Sequence, residues 1–196
     1  MSIRPHIIPK IMMLFMICFA LFSYFPLEYN MRLEKKFDFG LQKLGIDWAV
    51  MNDGVMGGLS KGKGSLTKNS LVLKGEISLA NNGGFSSIRS QWGKLDLSEQ
   101  TKVAVRYRSY GQTIALCFER SRRWWQPYYM LDLQPTNGEW KTITLDLKKA
   151  QKYSIARPRD AYFTKDIREE ILRIGFMTND KKETEFEFEV DYLMFK

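Results

Sequence analysis

The sequence predicts an all-β fold, an antiparallel β-sandwich of jelly-roll type, and three observations carry that expectation. After the first thirty residues, apolar side chains recur at every second position in short runs, the period of a half-buried strand. The runs are bounded by Gly, Asn and Asp, which supply the positive φ and the side-chain-to-backbone bonds of tight turns. No stretch of that region holds a long helical period. About nine or ten strands punctuated in this way fit two packed antiparallel sheets.

In chain order, Phe37-Asp38-Phe39 is the first short strand, and residues 71–77 and 87–92 follow at turn-bounded spacing. Val103, Val105 and Tyr107 then face one way while Lys102, Ala104, Arg106 and Arg108 face the other. The same alternation sets Ile114, Leu116 and Phe118 against Ala115, Cys117 and Glu119, and Tyr129, Leu131 and Leu133 against Tyr128, Met130 and Asp132. It sets Ile143, Leu145 and Leu147 against Thr142, Thr144 and Asp146, and strands at 171–176 and 186–192 close the chain. The first set of each pair is the expected core. Arg106, Arg108, Ala115, Cys117, Glu119, Tyr128, Met130 and Asp132 would share one outer face if their strands are neighbours, and ordinary cross-strand ion pairs are the leading account of that row. Glu185, Glu187, Glu189 and Asp191 form a one-sided carboxylate row, read as charge on an edge strand, because residues in one straight row cannot wrap a calcium ion.

The chain has 196 residues, 44% hydrophobic and 14% aromatic, enough to bury one sizeable core. The expected organisation is a hydrophobic leader or membrane anchor over residues 1–30 and a single β-sandwich domain over 31–196. Within the leader, residues 11–25 would rise about 22 Å as a helix, short of a hydrocarbon core of roughly 30 Å. No small-x-small cleavage site follows, so an uncleaved single anchor is favoured over a signal peptide, with Met31 as an alternative start. Basic residues flank the run on both sides, so the side of the membrane is not set. The net charge of +8 is spread along the chain, which points to a solvated basic face and not to a nucleic-acid partner. Cys18 and Cys117 leave no disulfide within the domain.

Catalytic chemistry has few residues to use. The only histidine is His6, so a His-based triad, general base or zinc site within the domain is excluded. Cys117 has no histidine to activate it, and residues 54–58 lack phosphate-loop spacing. Asp47, Asp53, Glu119 and Asp132 are acids that the spacing does not pair. The expectation is therefore no enzyme, no cofactor and no metal.

Two loops draw attention, at residues 48–60 and 79–89. Asn52, Asp53, Asn81 and Asn82 suit backbone fixing in tight turns. Met56 and Phe85 are apolar residues at loop tips, and Arg89 is available for pairing. Well-made turns are the simpler reading; a docking surface is the sharper one. A second cluster, Trp124, Trp125 and Tyr128 beside Arg120, Arg122 and Arg123, has the chemistry to stack on sugar rings or anchor a partner, and equally to pack on its own sheet.

The stretch Met51-Asn52-Asp53-Gly54-Val55-Met56-Gly57-Gly58-Leu59-Ser60 after Trp48, followed by Asn81-Asn82-Gly83-Gly84-Phe85-Ser86-Ser87-Ile88-Arg89, resembles the signature of the complex I intermediate-associated protein 30 family. The likeness extends loosely through Gly138-Glu139-Trp140 to the C-terminal strands. It implies a galactose-binding-domain-like β-sandwich and, in mitochondrial members, an assembly chaperone for respiratory complex I in place of an enzyme. The functional expectation is thus a non-catalytic, membrane-tethered binding or assembly module. Its partner is a protein such as a membrane-complex subunit or assembly intermediate, bound through Asn52, Asp53, Met56, Asn81, Asn82, Phe85, Arg89, Trp124, Trp125 and Tyr128. The alternative is a carbohydrate-binding β-sandwich whose ligand is a glycan.

Overall fold

The computed structural model describes residues 35–40 and 47–196; the leader, with the expectations about anchoring and Met31, lies outside the described residues. Thirteen strands run in chain order as β1 (Lys36–Asp38), β2 (Ala49–Asn52), β3 (Lys61–Leu66), β4 (Leu71–Ile77), β5 (Ser86–Arg89), β6 (Lys102–Tyr110), β7 (Ile114–Glu119), β8 (Tyr128–Leu133), β9 (Lys141–Asp146), β10 (Gln151–Ser154), β11 (Arg157–Arg159), β12 (Arg173–Thr178) and β13 (Thr184–Phe195). One short helix, α1 (Lys165–Glu169), precedes β12. Sheet one has six strands, ordered β3-β4-β13-β6-β9 with β1 also on β13, and sheet two has seven, ordered β11-β10-β8-β7-β12-β5-β2. All the strand pairings are antiparallel, so the predicted all-β antiparallel sandwich is the fold. Among the described residues no helix is long and apolar enough to cross a membrane.

The alternation rule works because each central strand has one face on the core. Val103, Val105, Tyr107, Ile114, Leu116, Phe118, Tyr129, Leu131, Leu133 and Leu147 are buried, with Ile143 and Leu145 packed against them half-buried. Aromatic rings tie the sheets together: Trp48 lies 5.1 Å from Phe39 edge-on and 5.9 Å from Phe176, and Phe176 meets Phe188 at 4.8 Å. Such ring pairs add to area burial. Behind α1, Arg168 is buried and donates to the carbonyls of Phe163 (2.7 Å) and Leu97 (3.2 Å), which satisfies a charge that would otherwise be costly to bury.

Three expectations are corrected. The predicted outer row is split between the sheets. Arg106 and Arg108 belong to sheet one, whereas Ala115, Cys117, Glu119, Tyr128, Met130 and Asp132 belong to sheet two, with Cys117 opposite Met130 and Glu119 opposite Tyr128. The carboxylate row of β13 is not on an edge, since β13 lies between β4 and β6. Two of its four acids are neutralised across the ladder, Asp191 by Arg106 at 2.9 Å and Glu189 by Arg108 at 2.5 Å, with Ser70 also donating to Glu189. Finally, β2, β3, β10 and β11 are strands beyond those the alternation marks.

The β10–β11 hairpin closes through Ile155 and Ala156 at φ 48° and 56°. A two-residue turn with both φ positive ordinarily takes Asn-Gly. A β-branched residue held there costs about 1–2 kcal/mol. Ile155→Asn is therefore expected to stabilise the domain by about 1 kcal/mol, a rise of roughly 2–4 °C in the thermal midpoint. An unchanged or lower midpoint by circular dichroism would show that the turn is not strained.

Candidate functional site

Asp53 joins the two predicted loops. Its residues Asp53–Met56 form a 3₁₀ turn that Gly57 ends at φ 89°. The side chain points inward and is fully buried. Its carboxylate accepts hydrogen bonds from Ser60 N (3.0 Å) and Ser60 Oγ (2.5 Å) within its own loop, and from Gly84 N (2.6 Å) and Phe85 N (3.2 Å) of the other. The Asp53 amide returns a bond to the Phe85 carbonyl at 3.3 Å. Burial pushes the Asp53 carboxyl up, but the donors of Ser60, Gly84 and Phe85 together outweigh it and hold the group below its ordinary value of 3.8. A Cβ at Gly83 would stand 2.6 Å from Asp53 Oδ2, so the second loop approaches this closely only as glycine.

Asn52 fixes the strands behind the joint. Its Oδ1 accepts from Gly62 N (3.1 Å) and Ser86 Oγ (2.7 Å), and its Nδ2 donates to Gly62 O (3.1 Å). Asn81 and Asn82 both take the left-handed conformation, at φ 55° and 59°. Asn81 Nδ2 also bonds the Gly57 carbonyl at 3.1 Å, linking the loop tips. The polar residues of this group thus serve the backbone. What the loops present outward is apolar: Val55, Met56, Leu59 and Leu79 are 72%, 61%, 56% and 41% exposed, while Phe85 is half-buried. Sequence reasoning picked Met56 and missed Val55, Leu59 and Leu79, although each carries the same signal of an aliphatic side chain among turn-formers.

The other four predicted residues stand at the opposite end of sheet two. Arg89 is not available for pairing as expected, because its Nη1 donates to Glu119 at 3.2 Å and its Nε to Ser87 Oγ at 3.0 Å. Glu119 is shared with Arg173, through Nε at 3.1 Å and Nη2 at 2.5 Å, and the Arg173 guanidinium lies 3.7 Å from the centre of the Trp92 ring. Trp124 and Trp125, in the β7–β8 loop, are exposed and meet edge to face at 5.9 Å. Tyr128 stacks on Tyr153 at 5.9 Å and 18°. Burial pushes the Tyr128 hydroxyl up to about 12, with neighbouring Cys117 contributing. Cys117 is itself pushed up to about 12 by burial, which leaves it a thiol at neutral pH and chemically inert. Ala115, Cys117 and Met130 form a small buried apolar cluster here, separate from the main core.

Three of the four candidate acids are already engaged by other groups. Asp53 is occupied by backbone donors, Glu119 by arginines, and Asp132 accepts from Asn179 Nδ2 at 2.8 Å. Glu119 and Asp132 lie at opposite ends of the β7–β8 ladder. Among the described residues no group of three or more His, Cys, Asp or Glu is placed to hold a metal ion.

The sequence profile of the complex I intermediate-associated protein 30 family matches residues 37–190. The chain belongs to this family. The matched stretch includes the whole clamp just described, with Asp53, Gly83 and Gly84 in it and Asn52 behind it. No curated protein matches the chain in sequence. Among solved structures, a family 11 carbohydrate-binding module of the cellulase Lic26A-Cel5E of Clostridium thermocellum is similar at 16% identity and a TM-score of 0.57, covering 82% of this chain and 95% of that one. A family 11 module from Clostridium thermocellum in complex with a β-1,3-1,4-mixed-linked tetrasaccharide is similar at 18% identity and a TM-score of 0.54, covering 76% and 89%. At these identities the likeness establishes a shared β-sandwich fold.

Proposed function

We propose that this member of the family is a non-catalytic assembly module that uses the clamped loop pair to hold a subunit or intermediate of a membrane complex, with complex I the first candidate from the family's name. Tethering through the apolar run at residues 11–25 is part of this proposal. The observation that carries it is the contrast within the cap: a fully buried carboxylate fixes two loops, and those loops expose four aliphatic side chains. An exposed apolar set on a fixed frame is what a protein-docking site requires, since a rigid presenter loses little entropy on binding. Met56 adds a side chain that adapts to irregular partner surfaces.

The test is crosslinking and affinity purification of the full chain from its own membranes, beside Met56→Asp and Leu59→Asp variants. Each substitution is expected to lower recovery of the same complex subunits about tenfold. The thermal midpoint should hold, since exposed changes of this kind usually stay within about 0.5 kcal/mol. Phe85 is a poorer probe because its side chain is half-buried, so an aspartate there would disturb the fold as well as the surface. Equal recovery from wild type and variants rejects the docking role.

The second reading, a carbohydrate-binding module, is favoured by Trp124, Trp125 and Tyr128 at one end of sheet two. Saturable binding on a glycan array that is lost in Trp125→Ala would support it over assembly.

A further inference from the structure

We infer that the end of sheet two opposite the loop cap is a peripheral membrane-contact surface for anionic phospholipid, built from the β7–β8 loop and the β10–β11 turn. The two project side by side: Tyr128, which ends the first loop, is paired with Tyr153, two residues before the turn. Trp124, Trp125 and Ile155 are exposed there. Residues 120–127 and 152–160 carry Arg120, Arg122, Arg123, Lys152, Arg157 and Arg159 against the single acid Asp160. Arg120 is paired with Glu170. Among the described residues, Arg122, Arg123, Arg157 and Arg159 form no ion pair with a carboxylate, and Arg122 and Arg123 lie over the rings of Trp92 (5.4 Å) and Trp125 (6.0 Å).

This combination suits a bilayer interface. Indole rings prefer the headgroup level, where the ring is apolar and the N–H stays wet. Unpaired guanidiniums bind lipid phosphates and gain from the negative potential of an anionic leaflet. Ile155 is the informative residue, for the turn keeps an exposed aliphatic where its backbone suits asparagine or glycine. Strain retained at a surface position points to a use for that side chain. A single-stranded nucleic acid would also meet arginine and tryptophan, but Trp124 and Trp125 stand 88° to each other and offer no parallel platform, and Ile155 has no ring to stack. Docked by this end, the domain holds its loop cap one strand length away, about 20 Å for six residues, clear of the lipid.

The experiment uses the full chain with vesicles of brominated phosphatidylcholine, with and without phosphatidylglycerol. The emission lost in a Trp124→Phe, Trp125→Phe double variant isolates that pair from the other tryptophans. Bromine quenching of this pair is expected when phosphatidylglycerol is present, weaker in high salt. It should fall about fivefold for each arginine removed in Arg122→Ala and Arg123→Ala. Ile155→Asn separates contact from folding, because it should lower quenching while the thermal midpoint rises. Emission from the pair that ignores anionic vesicles overturns the inference. So does quenching unaltered by the arginine and Ile155 substitutions, or a response to a single-stranded oligonucleotide with none to vesicles.

Discussion

Asp53→Ala is expected to remove about 3–5 kcal/mol of folding free energy, a large share of what a domain of this size holds. Three amides and a hydroxyl converge on the carboxylate, with no cation among them. Alanine leaves these donors without their acceptor inside the joint. Asp53→Asn should cost nearly as much despite its matching shape, because one carboxylate oxygen becomes an NH₂ group facing donors. The wild type also predicts its own acid limb. The folded-state value lies below the ordinary one, so the contribution is fully present above the unfolded value near 3.8 and is lost as pH falls through the folded value. The gap in urea midpoint between wild type and Asp53→Asn should therefore be constant from pH 6 to about pH 5 and begin to narrow as pH falls below the unfolded value of 3.8. A variant within about 1 kcal/mol of wild type at pH 7 would mean that the loops are held by their glycine turns alone.

Which parts of this were legible in the sequence follows from burial. Strands β6, β7 and β8 each set one face on the main core, so the period of two names the residues of that face, but it misses Ala104, Ala115, Cys117 and Met130, which are buried on the other face. Strand β3 hides from that rule because glycines stand where its side chains would meet sheet two: Gly62 is buried, and a Cβ at Gly64 would lie 2.8 Å from Ile88 Cδ1 and Val50 Cγ2. There glycine fills the place of an apolar residue, so no hydrophobic alternation is written. Strands β10 and β11 sit at the edge of sheet two and bury little, so nothing selects apolar residues in them. Periodicity also gives faces and not neighbours, which is why Arg106 and Arg108 were grouped with Glu119 across two different sheets.

The site was legible in the same uneven way. Asn52, Asp53 and Asn81 announce backbone fixing by residue type, and they do that work. The partner of Arg89 was not readable, because Glu119 is thirty residues away and two strands across the sheet, with β12 between. Nor was the split of the ten candidate residues between two ends, which depends on how β5 and β7 run in the sheet. Two chemically different ends on one rigid sandwich permit two simultaneous contacts, one apolar and one basic and aromatic. A single docking face would not.

Glu119→Ala is expected to cost about 2–3 kcal/mol, less than a fully buried pair because Glu119, Arg173 and Arg89 retain 14%, 12% and 19% side-chain exposure. The loss arises from what is left behind. Arg89 and Arg173 converge on this one carboxylate, and without it two guanidiniums face each other beside Trp92. Part of that repulsion is screened by salt, so the variant should regain stability in high salt while the wild type changes little. Glu119→Gln separates charge from hydrogen bonding, keeping one acceptor and losing the charge, and should fall between the two. The consequence extends past the pair, since Glu119 is the register partner of Tyr128 and Arg173. Loosening it should also weaken the basic, aromatic end while leaving the Asp53 clamp intact, measured as faster amide exchange across β7 and β12 with protection at Gly84 and Phe85 unaltered. Salt-independent loss of stability, or equal loosening at the clamp, would show that Glu119 acts through packing and not through its two arginines.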